Sequence, residues 1–281
     1  MINHTQTPAV LTIAGSDSGG GAGIQADLRT FSAFRVYGCS AITAVTSQNP
    51  NEVRRVDILP AEAVKSQIET VLAAVPIKFA KTGMLANQEI IEYVSKTVAQ
   101  YKFKLVVDPV MVSTSGVRLL AESAIEAIKS QLFPLAEWIT PNIPEAELLC
   151  GKKISSPEHL AELAVMLYEQ YNCNVILKSG HLLNGNSADD VVCYRGKLFI
   201  LSSPQIAING NTAHGTGCTL SAALAANLAL NKNWETAIIS AKAFVYGSLL
   251  ENVRLSNQLC QMYPPQTVYN NKITLNKLNK N

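Results

Sequence analysis

A glycine-rich turn that runs directly into a helical pattern is the stretch of this sequence best suited to chemistry. Residues 209–218 read Asn-Gly-Asn-Thr-Ala-His-Gly-Thr-Gly-Cys, and an Ala/Leu-rich run follows. The first N–H groups of a helix lack partners within the helix and the dipole is positive there, so the turn predicts an anion site. Gly215 and Gly217 would let the backbone approach a ligand, and we expect the same field to lower the pKa of the Cys218 thiol. The alternative is an ordinary helix start with a small buried cysteine.

Polar side chains also follow several β-prone runs. Asp108 ends Lys-Leu-Val-Val-Asp, Lys178 ends Asn-Val-Ile-Leu-Lys, and Asn142 and Glu145 follow the run at 138–140. Ligands of open parallel sheets bind just beyond the carboxyl ends of the strands, so these four side chains are candidates for a site. Asn142 and Glu145 suit either a helix cap or a magnesium shell that keeps several waters. A turn-starting Asp and a surface Lys remain the alternatives for the other two.

A second glycine-rich segment, Gly-Ser-Asp-Ser-Gly-Gly-Gly-Ala-Gly, occupies residues 15–23 between a β-prone run and a helical pattern. It partly matches a dinucleotide fingerprint, but that fingerprint needs an acid about 20 residues on, where this chain has Thr-Ala-Val-Thr-Ser. NAD binding is therefore disfavoured, and the Gly-Lys-Ser/Thr of a Walker loop is missing. Asp27 could face either solvent or a pocket at the sheet edge. Gln48 offers a donor and an acceptor after the next predicted strand.

Strand-like and helical patterns alternate along most of the chain, and a hairpin is predicted around Arg195 and Gly196. This alternation predicts an α/β fold with a mostly parallel, doubly wound sheet whose strands end at one edge. We expect a single domain over residues 1–255. A divergent polar tail should occupy 256–281, disordered after about Asn270.

Composition excludes several classes of function. The chain has 281 residues, is 16% charged and carries a net charge of +2 without a long basic tract, so a nucleic-acid partner is not expected. It has neither an apolar run of the roughly 18 residues that a membrane span needs nor a signal-peptide pattern at its N-terminus, which predicts a cytoplasmic protein. The six cysteines are scattered, so neither disulfides nor a zinc site is expected.

Six motifs occur in order between about Val10 and Tyr246. They are Ala-Gly-Ser-Asp-Ser-Gly-Gly-Gly-Ala-Gly-Ile-Gln-Ala-Asp27, Ala-Val-Thr-Ser-Gln-Asn49, Lys-Thr-Gly-Met-Leu85, Asp-Pro-Val-Met111, Thr-Pro-Asn-Ile-Pro-Glu-Ala-Glu147 and His-Gly-Thr-Gly-Cys218. Together they resemble the motifs of the hydroxymethylpyrimidine/phosphomethylpyrimidine kinases of the ribokinase superfamily. The resemblance implies a ribokinase-like three-layer α/β/α fold, usually dimeric, that uses ATP and Mg²⁺. It also implies phosphorylation of 4-amino-5-hydroxymethyl-2-methylpyrimidine to its monophosphate and then to the diphosphate, in thiamine biosynthesis.

The same resemblance implies roles for twelve positions. The backbone at Gly215, Thr216 and Gly217 would form the anion hole, with Cys218 as the catalytic base. Glu145 would bind the metal, with nucleotide-side positions at Asp108, Asn142 and Lys178. The pyrimidine pocket would comprise Gly15, Asp27, Gln48 and Met84.

The chain departs from the family pattern at three places. Thr114 stands where the family usually has Lys, Ser179 where it has Gly, and Ala213 where it has Thr. The Thr114 departure removes a cation that could contact phosphates. Two other functions are kept open: a pyridoxine-type vitamin kinase, which shares a hydroxymethyl acceptor on an aromatic ring, and a catalytically silent ligand-binding protein.

Overall fold

The computed structural model describes residues 6–112, 119–154, 156–179, 187–207, 213–257 and 259–278. Within these ranges, ten strands form one sheet in the order β12-β9-β8-β7-β6-β5-β4-β1-β2-β3. The strands are β1 (Ala9–Asp17), β2 (Tyr37–Asn49), β3 (Glu52–Ile58), β4 (Ile77–Thr82), β5 (Lys104–Val107), β6 (Ala136–Ile139), β7 (Asn174–Lys178), β8 (Ser187–Tyr194), β9 (Lys197–Pro204) and β12 (Thr274–Lys277), while β10 (Val253–Ser256) and β11 (Leu259–Gln261) form a separate hairpin. The helices are α1 (Gly23–Ala33), α2 (Ala61–Ala74), α3 (Gln88–Tyr101), α4 (Glu122–Ala127), α5 (Ile143–Cys150), α6 (Pro157–Tyr171), α7 (Thr216–Ala229) and α8 (Trp234–Leu250).

The middle of the sheet is parallel. Each neighbouring pair in the run β2-β1-β4-β5-β6-β7 is parallel. These six strands therefore end at one edge, as the alternation of patterns predicted. At the flanks β3, β8, β9 and β12 pair antiparallel. The predicted hairpin is the β8–β9 pair, with its turn at Arg195 and Gly196.

Helices cover both faces of the sheet, which makes the fold three layers. Leu11 and Ile13 of β1 pack into a core with α2 to α6, and Val10, the residue before Leu11, packs into a second core with α1, α7 and α8. The side chains alternate because successive residues of a strand point to opposite faces. The near-continuous apolar runs of the central strands are thus explained, because both of their faces are buried.

The C-terminal segment differs from its expected form. The last long helix ends at Leu250, and β10 and β11 follow it. The disorder expected after about Asn270 is wrong, because Thr274–Lys277 pair antiparallel with β9 and extend the sheet. The unpaired edge of β9 offers backbone hydrogen-bond partners to this segment. Its polar composition alone did not indicate such a strand. The division of the chain at residue 255 stays a prediction.

Among the described residues, no helix is both long enough and apolar enough to cross a lipid bilayer.

Candidate active site

Helix α7 begins at the glycine-rich turn, as predicted. Gly215 is its N-cap residue and has a left-handed backbone with a φ of 86°. A side chain at Gly215 would collide with the carbonyl oxygen of Gly21, so the turn packs directly on the first glycine loop. Only glycine meets both conditions. Residues 209–212 of the motif lie outside the described residues.

Asp17, at the end of β1, organises the first glycine loop. Its carboxylate accepts hydrogen bonds from the N–H groups of Gly19 and Ala22 at 2.9 and 2.8 Å, and its carbonyl accepts one from Gly20. Burial alone would raise the pKa of Asp17, but hydrogen bonds from His214 and from the loop backbone hold this pKa below its ordinary value. The carboxylate is therefore ionised and fixes the loop shape.

His214 lies between the first glycine loop and β2. Its Nε2 atom is 3.2 Å from Asp17 Oδ2 and 3.3 Å from Gln48 Nε2. An amide nitrogen only donates and a carboxylate only accepts, so a single tautomer of His214 cannot satisfy both contacts as drawn. Which of the two contacts forms therefore depends on whether Nε2 carries the ring proton.

The structure brings together two more residues of the predicted pyrimidine pocket. A side chain at Gly15 would meet Met84 Cε at 2.7 Å, so the glycine leaves room for the methionine. Thr43 Oγ1 donates to the Met84 carbonyl at 2.6 Å and holds this segment against β2. Gly15, Met84 and Gln48 therefore lie at one edge of the sheet, near the carboxyl ends of β1, β4 and β2.

Asp27 lies deeper than a solvent-facing helix residue. Its carboxylate is fully buried, accepts from Lys81 Nζ at 2.8 and 3.0 Å, and accepts from Thr12 Oγ1 at 2.6 Å. Of the two alternatives, the solvent-facing one is excluded, whereas contact with a ligand stays a prediction. Burial would lower the pKa of Lys81, but the charges of Asp27 and its neighbours raise it, so the lysine is cationic.

Cys218 occupies the first turn of α7 and is partly buried. Burial raises the pKa of its thiol to about 11, while Lys81 and a hydrogen bond from the Gly23 backbone act in the opposite direction. The expected lowering of this pKa is wrong in this structure. Desolvation and the nearby Asp108 and Asp27 outweigh the helix field and Lys81.

Lys178 and Asp108 meet at the carboxyl ends of β7 and β5. Lys178 Nζ donates to Asp108 Oδ1 at 2.9 Å, and the two side chains are largely buried. A side chain at Gly217 would lie 2.9 Å from Lys178 Nζ, so the start of α7 and the ammonium group face one another. This corner gathers a cation, a carboxylate and a helix N-terminus, which is the equipment that binds and polarises a phosphoryl group.

Asn142 and Glu145 form a capping box at the start of α5. Asn142 Oδ1 accepts from the Glu145 N–H at 2.9 Å, and Glu145 Oε2 accepts from the Asn142 N–H at 2.8 Å. Glu145 Oε1 also accepts from the Met111 N–H at 3.0 Å. Burial and the nearby Asp108 raise the pKa of Glu145 to about 7, although Lys178 opposes this shift. The structural role is therefore present, and a second role in metal binding is compatible with it.

The three residues that depart from the family pattern lie in different parts of the structure. Thr114 lies outside the described residues. Ser179 is buried against β8, where its N–H donates to Asp190 Oδ1 and its hydroxyl donates to the Asp189 carbonyl. Ala213 precedes the N-cap and accepts from Thr216 Oγ1 at 3.1 Å. Ser179 and Ala213 therefore have ordinary structural roles in this fold.

The three-layer architecture and the position of this site, at the edge where the parallel strands end, define a ribokinase-like small-molecule kinase. A model of the phosphomethylpyrimidine kinase family matches residues 17–262. The chain belongs to that family, which confirms the resemblance seen in the motifs. A hydroxymethylpyrimidine/phosphomethylpyrimidine kinase of Haemophilus influenzae is 46% identical over 244 residues, covering 85% of this chain and 90% of the relative.

Solved structures give the same class. A pyridoxal kinase from Staphylococcus aureus in complex with AMP-PCP matches with a TM-score of 0.86 at 32% identity, covering 98% of this chain and all of that one. A phosphomethylpyrimidine kinase from Clostridium difficile matches with a TM-score of 0.75 at 39% identity, covering 85% of this chain and 98% of that one. The protein is therefore a kinase with the fold that the sequence predicted.

Three features of the site escaped the sequence analysis. Lys81 forms a buried ion pair with Asp27, which lies 54 residues earlier in the chain and on a different element. The contacts of His214 join residues far apart in the chain, and nothing local signals them. Gln261 lies in the segment predicted to be a divergent tail, yet it reaches the first glycine loop.

Proposed function

We propose that this protein transfers the γ-phosphoryl group of ATP to the hydroxymethyl group of 4-amino-5-hydroxymethyl-2-methylpyrimidine, and then to the resulting monophosphate. The observation that carries the proposal is the approach of Lys178 to Gly217, with the ammonium group 2.9 Å from the position that a side chain there would take. A transferring phosphoryl group needs such electrostatic stabilisation more than covalent chemistry.

On the nucleotide side, the N–H groups at the start of α7 would receive the transferring phosphoryl oxygens. Lys178 would neutralise their charge, and Asp108 would hold Lys178 in place through the 2.9 Å contact. Asn142, at the start of α5, would support this side, because its backbone forms a parallel β-bridge with Lys178. Each group is already fixed by the fold, so little reorganisation is needed during transfer.

A magnesium ion would be supported by Glu145. Both Glu145 oxygens accept backbone N–H bonds, which leaves lone pairs for water but not an open all-protein cage. Such a donor set fits Mg²⁺, which keeps several waters and takes its remaining ligands from phosphate oxygens. When bound, the ion would neutralise charge on the phosphates.

On the acceptor side, Gly15, Gln48 and Met84 would form the pyrimidine pocket, with Gln48 reading polar ring groups and Met84 filling the apolar side. Asp27 would support this pocket indirectly, because its carboxylate already accepts hydrogen bonds from Lys81 and Thr12. Cys218 would take the proton of the alcohol in the first transfer. The second transfer needs no base because its acceptor is an ionised phosphate.

Incubation with MgATP and the pyrimidine alcohol, followed by separation of ADP and the phosphorylated products, tests the proposal. We expect the monophosphate first and the diphosphate later. Binding of the alcohol without ADP formation would indicate a silent binding protein.

Pyridoxal is the second candidate acceptor. The observation in its favour is the coverage of 98% of this chain by the Staphylococcus aureus pyridoxal kinase, against 85% by the Clostridium difficile phosphomethylpyrimidine kinase. The same assay with pyridoxal distinguishes the two. Turnover of pyridoxal without turnover of the pyrimidine alcohol would overturn the proposed substrate.

We also propose a homodimer that works in the cytoplasm, where ATP is supplied. Strand β3 is exposed at one end of the sheet and carries Val53, Val56 and Ile58, which are 56%, 46% and 48% exposed. Apolar side chains on a sheet edge favour association. Light scattering after gel filtration should give a dimer for the wild type and a monomer for Val56→Lys.

A further inference from the structure

Gln261 ends strand β11, in the hairpin that follows α8. Its backbone pairs antiparallel with Val253 of β10, which fixes the direction of the strand. The side chain is 5% exposed although it belongs to the polar C-terminal segment. A glutamine is rarely buried to this extent without a specific set of contacts.

The side-chain amide of Gln261 has no hydrogen-bond partner within the described part of the chain. Neither Oε1 nor Nε2 makes a hydrogen bond to a described residue, and both atoms are buried. Buried polar side-chain atoms in folded proteins almost always have a partner, because water is no longer available to them. An amide left in this state points to a bond that forms in another state of the protein.

Gln261 Oε1 lies against Gly21. A side chain at Gly21 would meet this oxygen at 2.9 Å and His214 Cδ2 at 2.6 Å. The neighbouring N–H groups of Gly19, Gly20 and Ala22 all donate to Asp17, whereas none of the described residues accepts from the Gly21 N–H. An unpaired acceptor therefore lies beside a residue with an unpaired donor.

Gly21 lies in contact with the segment that carries the groups proposed to react. Gly215 packs against the carbonyl oxygen of Gly21. Two residues further on, the Gly23 backbone donates to the Cys218 thiol. A shift of Gly21 would therefore move both the helix start that receives the phosphoryl group and the proposed base.

We propose that Gln261 is a positioning residue for the acceptor side, whose Oε1 accepts from the Gly21 N–H when the acceptor binds. The inference rests on the proposed function. The bond fixes the first glycine loop beneath His214 and Gly215, and it makes the hairpin of β10 and β11 part of the site. Lys178 and Asp108 lie at other strand ends and pair with one another, so we expect their part of the nucleotide side, and with it the binding of MgATP, to be kept.

Gln261→Met tests the inference because methionine keeps the length and unbranched shape of the side chain but has no amide. We expect the KM for the acceptor to rise about five- to tenfold, as for the loss of one hydrogen bond, and the KM for MgATP to change less than about twofold. With acceptor bound, the amides of residues 19–22 should exchange with deuterium faster than in the wild type. Gln261→Glu keeps an oxygen acceptor and should return the acceptor KM to within about twofold of wild type.

Ser240→Ala is the matched control. Ser240 lies within α8 and is also buried, and its hydroxyl has no hydrogen-bond partner among the described residues, those assigned to the site included. We expect its kinetics and its exchange at residues 19–22 to equal those of the wild type.

Unchanged acceptor KM and unchanged exchange in Gln261→Met would overturn the inference, as would equal effects of Gln261→Met and Gln261→Glu. If the wild type does not phosphorylate the pyrimidine alcohol, the proposed function fails. The exchange experiment, run with and without pyridoxal and the alcohol as binding probes, then still decides the role of Gln261.

Discussion

Gly215 rests on the carbonyl oxygen of Gly21, so the two glycine-rich motifs of the chain are in direct backbone contact. Gly21 and Gly215 are 194 residues apart in the sequence, and the two motifs have different roles. The first loop is fixed by Asp17, and the second begins the helix at which phosphate is expected to bind. This contact explains why a side chain is excluded at Gly215.

Gly215→Ala should reduce both activity and stability. The left-handed backbone at a φ of 86° alone costs about 1–3 kcal/mol for a residue with a side chain, and the collision with Gly21 adds to it. We expect kcat to fall at least tenfold, because the start of α7 must move away from the loop. Steady-state kinetics and urea unfolding measure the two effects.

Gly151→Ala separates strain from contact. Gly151 has a φ of 64°, but a side chain there would meet no atom of the described residues within 4 Å. It should lose about 1–2 kcal/mol of stability and keep its kcat. Equal activity in the two variants would mean that the contact with Gly21 has no functional role.

Cys218→Ala should lower kcat on the alcohol by about 10²- to 10⁴-fold, the usual contribution of a general base. Binding of the pyrimidine and phosphorylation of the monophosphate should be largely retained, because the second acceptor needs no base. Product analysis with each acceptor measures the difference. Near-normal rates on the alcohol would exclude Cys218 as the base.

The pH dependence of the wild type provides an independent test of Cys218. A thiol with a pKa of about 11 is almost fully protonated at neutral pH, so the thiolate fraction rises about tenfold for each pH unit below that value. The rate on the alcohol should therefore rise steeply from about pH 8 to pH 9, above the titration of Glu145, while the rate on the monophosphate does not. Parallel pH profiles for both acceptors would contradict this assignment.

Lys178→Met should impair phosphoryl transfer by removing the cation that faces Gly217 and by leaving Asp108 unpaired. The expected loss in kcat is about 10²- to 10³-fold, as for other groups that stabilise transition-state charge. Lys129→Met is the control, because Lys129 forms an exposed ion pair with Glu126 away from the strand ends. A similar small effect of both substitutions would argue against a role for Lys178 in transfer.

Glu145→Gln tests the metal and the capping role together. Glutamine still suits a capping box, so α5 should form, whereas the magnesium concentration for half-maximal activity should rise severalfold. A magnesium titration with saturating ATP measures the shift. An unchanged titration would remove Glu145 from the metal site.

Stability against pH gives a second measurement on Glu145. Its pKa is raised to about 7 in the folded protein from an ordinary value of 4.5, so the folded state holds this proton more tightly than the unfolded chain. The stabilisation is complete below about pH 4.5 and is lost as the pH rises through 7. Urea unfolding across this range should show a decline in the wild type that is reduced in Glu145→Gln.

Lys81→Met should destabilise the protein by about 3–5 kcal/mol, because it leaves the fully buried Asp27 carboxylate without its cation. The double variant Lys81→Met/Asp27→Leu should recover a substantial part of this loss. Urea unfolding of the two single variants and the double variant gives the coupling energy. Additive losses in the three variants would show that the two charges do not stabilise one another.

The sequence by itself determined the class of fold and most candidate positions, because both depend on local patterns. Alternating apolar strands and helices required a layered sheet, and ordered motifs placed Asp108, Lys178 and the 215–218 turn at strand ends or helix starts. Parallel strands must end at one edge, so the gathering of these groups followed without any knowledge of distances.

The tertiary structure decided the electrostatic state of the site and the role of the C-terminal segment. The field of a helix start suggested a lowered pKa for Cys218, but the local argument could not include the desolvation and the carboxylates that raise it to about 11. It likewise could not show that Lys81 neutralises Asp27 or that Gln261 reaches Gly21. These properties depend on which distant groups the fold packs together and on how completely it excludes water, and neither is encoded in any single stretch of the chain.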